Sequence, residues 1–143
     1  MFHHISIPVD NPLHVARVLA EIWQGRCLPF AICPGGYIVL ADDKYGTAIE
    51  LIPSKMKVKP GQKQAEYKPS DRSSHFSAIR AAISVPINQN KIEQIGMREN
   101  WLVILANRSQ FQVIEFWVEN KFLLELMTPV MTRKYLNSQH LLT

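Results

Sequence analysis

Among the side chains whose types could do chemistry are His4, Glu50, Arg80 and Glu125. Phe2 to Val9 alternates, so that Ile5, Ile7 and Val9 share one face of an extended segment while His4, Ser6 and Pro8 share the other. Glu50 stands between Ile49 and Leu51, and Glu125 between Leu124 and Leu126, each out of step with its apolar neighbours. Carboxylates and imidazoles are the groups of proton transfer and cation binding, and the planar fork of Arg80 suits a carboxylate or a phosphate. Plain roles are open to the same residues: a hydrogen-bonded histidine at a strand end, or carboxylates on exposed strand edges. If Glu50 and Glu125 share a cavity, they repel each other unless a cation, a proton or Arg80 intervenes. Glu115 and Trp117 share another strand face and are candidates to line a cavity, although Trp117 also suits a core. The sequence has no glycine-rich phosphate loop, Cys-x-x-Cys pair, His-Glu-x-x-His helix or nucleophile elbow.

The elements that must position these groups follow from periodicity and turn chemistry. After the first strand, Asp10 and Asn11 are capping candidates with Pro12 at the first helical position. Val15, Val18, Leu19 and Ile22 then form one apolar stripe, leaving His14 toward solvent, and Gly25 is placed to cap the helix end. Strands are expected over Cys27 to Cys33, Tyr37 to Ala41 and Thr47 to Ile52, with turns at Pro34-Gly35-Gly36 and Asp42 to Gly46. The polar, lysine-rich stretch 53–74 reads as a connector. Beyond it the order recurs: a strand over His75 to Val85, a helix over Asn88 to Ile95 closed by Gly96, and strands over Trp101 to Ala106, Phe111 to Val118 and Phe122 to Met127. The tail from Val130 to Leu142 suits a weak final helix.

Composition narrows the class. A chain of 143 residues with 47% hydrophobic and 20% charged residues is long and apolar enough for one core without disulfide staples. Cys27 and Cys33, six positions apart in one expected strand, lie ~20 Å from each other and cannot pair, so they read as small buried filler. The net charge of +4 is local. Lys55, Lys57, Lys59, Lys63, Lys68 and Arg72 face only Glu66 and Asp71, which leaves ten basic and ten acidic residues elsewhere. With Tyr67 as its one aromatic residue, that stretch reads as a solvated linker and not as a nucleic-acid patch. No apolar run approaches the ~18 residues of a membrane span, and the opening residues lack the pattern of an export signal. The expectation is a soluble, cytoplasmic protein with a small-molecule ligand and no nucleic-acid or membrane partner.

The recurrence extends to residues. Ile5-Ser6-Ile7-Pro8-Val9-Asp10 matches Ile83-Ser84-Val85-Pro86-Ile87-Asn88, and Ile49-Glu50-Leu51-Ile52 matches Leu124-Glu125-Leu126-Met127, in the same element order. The chain is therefore read as a duplication, with units at 1–52 and 75–128, a basic linker at 53–74 and a tail at 129–143. A tandem strand-helix-strand-strand-strand unit resembles the vicinal oxygen chelate superfamily of glyoxalases, fosfomycin- and bleomycin-resistance proteins and extradiol dioxygenases. The opening Phe2 to Asp10, the turn Asp43-Lys44-Tyr45-Gly46 and the following Ile49-Glu50-Leu51 carry the resemblance. It implies an α+β fold of two βαβββ units, each a mixed sheet curled as a half-barrel, and by analogy a homodimer.

The resemblance also implies chemistry. Members of that superfamily commonly hold a divalent metal with a residue of the first strand and a Glu of the last strand of each unit. Carried over, the ligands are His4, Glu50 and Glu125, with Glu125 able to exchange between ligand and general base. Aligning Ile83 with Ile5 puts Ala82 in the place of His4, and a methyl group binds no metal. His75 lies too far upstream on the opposite face, whereas Arg80 shares the face of Ala82. Arg80, Ser6 and Trp117 are the expected substrate contacts. Two functions are implied: a divalent-metal-dependent lyase, isomerase or transferase acting on a small oxygenated molecule, or a metal-free sequestering protein like the bleomycin-binding relatives, with Arg80 holding an anion. The identity of the metal is open.

Overall fold

The structure is a computed structural model, and it describes residues 2–60, 62, 65–72, 77 and 79–139. The chain divides into two compact units, Met1–Phe76 and Ser77–Thr143. The fold is α+β, and each unit carries a mixed four-stranded sheet. Among the described residues, no helix is long and apolar enough to cross a membrane.

In the first unit β1 (His4–Val9) leads to α1 (Pro12–Trp23), followed by β2 (Arg26–Pro29), β3 (Tyr37–Leu40) and β4 (Ala48–Pro53). The sheet order is β1-β4-β3-β2, with β1 parallel to β4 and the other pairs antiparallel. Asn11 starts α1: its side chain accepts the His14 amide, and Pro12 fills the first turn where no N–H is missed. Val15, Val18, Leu19, Ile22 and Trp23 are buried on α1, as are Ile7, Val9, Val39, Ile49 and Leu51, which share one face of the sheet. The left-handed residue at the helix end is Gln24, not Gly25. Gly25 is needed for another reason, because a Cβ there would lie 2.0 Å from the Leu40 carbonyl oxygen.

Two expectations for this unit change. The strand expected to reach Cys33 ends at Pro29, and residues 30–36 turn back through bonds from the Cys33 amide to the Phe30 carbonyl and from the Gly36 amide to the Cys33 carbonyl. Both cysteines are free. The stretch 53–74, read as a connector, contains β5 (Met56–Pro60) paired antiparallel with β6 (Ala65–Pro69). Alternation explains the hairpin: Val58 and Tyr67 are register partners on one face, and Lys57, Lys59, Glu66 and Lys68 fall on the other.

The second unit repeats the plan. It contains β7 (Ala81–Ser84), α2 (Gln89–Glu99), β8 (Val103–Asn107), β9 (Gln112–Val118), β10 (Phe122–Met127) and a closing α3 (Pro129–Gln139). The sheet order is β7-β10-β9-β8, with β7 parallel to β10. Asn88 caps α2 by accepting the Lys91 amide. The helix passes through Gly96 and ends at the left-handed Asn100. Gly96 serves packing within the helix, since a Cβ would come 2.2 Å from Val103 Cγ2. Ile114, Phe116, Val118, Leu124 and Leu126 are buried on the core face, and Phe111 meets Tyr135 of α3 edge-on at 5.1 Å.

Candidate functional site

The face of the first sheet that carries His4 and Ser6 also carries Glu50, because Ser6 and Glu50 are register partners in a parallel pair. Glu50 is only 9% exposed. Its Oε2 accepts the Ser6 hydroxyl at 2.5 Å, and its Oε1 lies 3.8 Å from His4 Nε2. Burial of a carboxylate is costly unless it is hydrogen-bonded or paired, and Ser6 supplies that bond here. Two further groups sense Glu50. Burial and then the nearby Glu50 charge push the Cys33 thiol pKa up, and burial followed by Glu50 and Cys33 does the same to the Tyr67 phenol. Tyr67, from the hairpin, meets Phe30 edge-on with ring centroids 6.4 Å apart. His3 donates from Nδ1 to the Tyr45 carbonyl at 2.7 Å, which ties the strand entrance to the Asp43 turn.

In the second unit Glu125 is likewise 9% exposed, and its register partners are Ala82 on β7 and Glu115 on β9. Two carboxylates therefore stand directly opposite each other. Arg108, in the turn after β8, spans them: Nη2 donates to Glu115 Oε1 at 2.7 Å and to Glu125 Oε1 at 2.6 Å, and Nε reaches Glu125 Oε1 at 3.2 Å. The bonds to Glu115 first, and Glu125 second, raise the guanidinium pKa further above its already high value. Arg80 Nε lies 4.0 Å from Glu125 Oε2, with its side chain 59% exposed. Trp117, half-buried, shares the face of Glu115 and Glu125.

The registers correct the internal alignment of the two units. Glu50 pairs with Ser6, and Glu125 pairs with Ala82. The residue in the place of Ser6 is thus Ala82, and the residue two positions earlier, in the place of His4, is Arg80. Likewise Ile7 pairs with Leu51 and Ile83 with Leu126, so Ile83 corresponds to Ile7 and not to Ile5. A slip of two residues leaves side chains on the same face, which is why the alternation was legible although the match was displaced.

Of the expected site residues, the first unit brings His4, Ser6 and Glu50 together, and the second brings Arg80 to Glu125. His75 lies outside the described residues. Among the described residues, no group of three or more His, Cys, Asp or Glu side chains is gathered to hold a metal within either unit. The sequence reading missed Arg108 and the neighbours of Glu50 in Cys33 and Tyr67. A signal for Arg108 existed: it continues the alternation of Ile104 and Ala106, which puts it on the face of Glu115.

No protein-family model matches the sequence, and no curated protein matches it. Solved structures do. A fosfomycin resistance protein, FosX, from Listeria monocytogenes superposes with a TM-score of 0.59 at 12% identity over 94% of this chain and 97% of that one. A protein assigned to the glyoxalase family from Bacillus anthracis gives 0.56 at 12% identity over 90% and 93%. The Listeria FosX complexed with Mn(II) and sulfate gives 0.56 at 11% identity over 90% and 88%. The fold is the one these proteins share.

Proposed function

We propose that this protein takes up a small oxygenated molecule bearing an anionic group, and that Arg80 holds that group without a divalent ion at Glu125. One observation carries the reading. Glu125 is already hydrogen-bonded by Arg108, whereas Arg80 stands 4.0 Å away with most of its side chain in solvent. At that separation Nε stands beyond hydrogen-bond distance of Glu125 Oε2, so an incoming carboxylate, phosphonate or sulfate has no hydrogen bond to displace there. It gains a planar donor fork in return. The reading is of the binding or sequestering kind, with Trp117 as a further contact on the same sheet face.

The residues around Glu125 do not fit a metal ion. An ion at Oε1 must displace Arg108, and one at Oε2 sits beside Arg80, against like charge in both cases. The first unit fits better and supports a second reading. Two donors each ~2.1 Å from an ion can stand up to ~4.2 Å apart, and His4 Nε2 and Glu50 Oε1 are separated by 3.8 Å. A FosX of this fold was solved with Mn(II). A divalent ion at His4 and Glu50 supplies Lewis-acid polarisation of a substrate oxygen, as a lyase, isomerase or transferase requires. In that case His4 and Glu50 hold the ion while Ser6 orients the carboxylate. Both readings take the protein as cytoplasmic and homodimeric.

Calorimetric titration with sulfate, phosphonates and small carboxylates in the presence of chelator tests the first reading. Binding is expected to survive chelation, to vanish in Arg80→Ala and to return in part in Arg80→Lys. Loss of binding on chelation overturns it. Elemental analysis of the untreated protein, and a rise in Tm with divalent ions that His4→Ala removes, are the corresponding outcomes for the second reading.

A further inference from the structure

We propose that Arg108 is a positioning residue that stands in for a cation between Glu115 and Glu125, fixing both carboxylates and barring a divalent ion from Glu125. The inference deepens the metal-free reading of the second unit and rests on it only in treating that sheet face as the ligand side.

The geometry states the problem and its solution. Glu115 and Glu125 are direct cross-strand partners with side chains 19% and 12% exposed, so water screens their repulsion poorly. One guanidinium bonds both through a shared Nη2, and a second bond from Nε fixes the orientation of Glu125. Arg108 bonds both carboxylates and Arg80 faces Glu125, so two cations meet two anions and the four groups are neutral as a set. An incoming dication therefore finds no net negative charge to draw it. The first unit gives the comparison: the β3 residue paired with Glu50 is Ile38, where the second unit has Glu115. The additional acid and its arginine occur together on one side of the duplication.

The test is Mn2+ titration of the full chain, with foldedness checked by circular dichroism. Arg108→Gln is expected to bind Mn2+ at least ~10-fold more tightly than the intact protein, the range by which groups around a metal site tune its affinity. Adding Glu115→Gln to that variant should return the affinity to the intact level, and Arg108→Lys, which keeps the charge, should stay near it. Any ion held at His4 and Glu50 contributes equally to all these proteins. A folded Arg108→Gln that binds Mn2+ no better than the intact chain overturns the proposal. Where Arg108→Gln does not fold, Glu125→Gln in the intact protein decides: unchanged Mn2+ binding supports the role, and weakened binding overturns it. Anion binding through Arg80 is measured without metal, so its failure is distinguishable from failure here.

Discussion

Arg80 stands to Glu125 as His4 stands to Glu50. Each cation-capable side chain precedes by two positions the first-strand residue paired with the buried carboxylate, and the separations are 4.0 and 3.8 Å. The two units share the acid and differ in its companion. A guanidinium is charged at every pH a protein meets, whereas an imidazole changes charge near neutrality. The second unit is therefore suited to an anion, and the first to a proton or a cation.

Exchanging the companion tests that contrast. With Arg80 in place, sulfate binding is expected to vary little between pH 6 and pH 8. Arg80→His should make it pH-dependent and stronger at pH 6, because an imidazole carries charge below its ordinary value of ~6.5. Sulfate does not titrate in this range, so the change reports the protein. Equal binding by the variant at both pH values would show that the residue at position 80 does not hold the anion.

Ser6 and Ala82 occupy matching places, yet only Ser6 donates to its carboxylate. Glu125 has Arg108 instead, so the hydroxyl can be dispensed with there. Ser6→Ala leaves Glu50 buried without that bond, and a loss of about 1–3 kcal/mol is expected from urea unfolding. Ser6→Thr keeps the hydroxyl and should recover most of it. A cost for Ser6→Ala below ~0.5 kcal/mol would mean that Glu50 is stabilised chiefly by other groups.

The strand-helix-strand-strand-strand order, the Asn11 cap and the face of every strand bearing His4, Glu50 or Glu125 were legible because alternation and capping are local. Register is not local. The Ile-Ser-Ile-Pro and Ile-Ser-Val-Pro segments look alike but sit two residues apart relative to the last strand, which concealed Arg80 as the counterpart of His4. Arg108 was hidden for a different reason: it lies in a turn, and its meaning depends on Glu115 and Glu125 being cross-strand partners. The β5–β6 hairpin was obscured by its lysines, which suggested a linker although Val58 and Tyr67 pair across it. The glycines show the same limit. Their expected roles were caps, and their actual roles depend on Leu40 and Val103, which sequence proximity does not bring near.

Those two glycines should respond differently to a methyl group. At Gly25 the new Cβ meets a backbone carbonyl of β3, which moves only if the strand moves. At Gly96 the nearest atom is a side-chain methyl of Val103, followed by the Trp101 carbonyl at 3.3 Å. Overpacking of a core costs about 1–3 kcal/mol, and alanine regains about 1 kcal/mol of helix propensity at Gly96 alone. Gly25→Ala is thus expected to lower Tm more than Gly96→Ala. The reverse order in thermal unfolding would place the tighter contact at α2.

The Asp43 turn provides a test with a definite sign in pH. Its carboxylate accepts the amides of Tyr45 and Thr47 at 2.9 and 3.0 Å and the Thr47 hydroxyl at 2.5 Å. The hydroxyl first, and then the amides, hold its pKa below the usual carboxylate range. The unfolded chain therefore takes up this proton before the folded one as the pH falls. Linkage makes the contribution fully present above the unfolded value of ~3.9 and lost as the pH drops through the folded value. Asp42, held low by its bonds to Arg26, acts in the same direction in both proteins and cancels from the comparison. Asp43→Asn keeps an acceptor but no charge, so it is expected to be less stable than the intact chain at pH 6. That gap should narrow as the pH is lowered below ~4. Urea midpoints measured from pH 6 to pH 2.5 give the comparison, and a gap that stays constant across that range would show that the carboxylate charge contributes nothing to the turn.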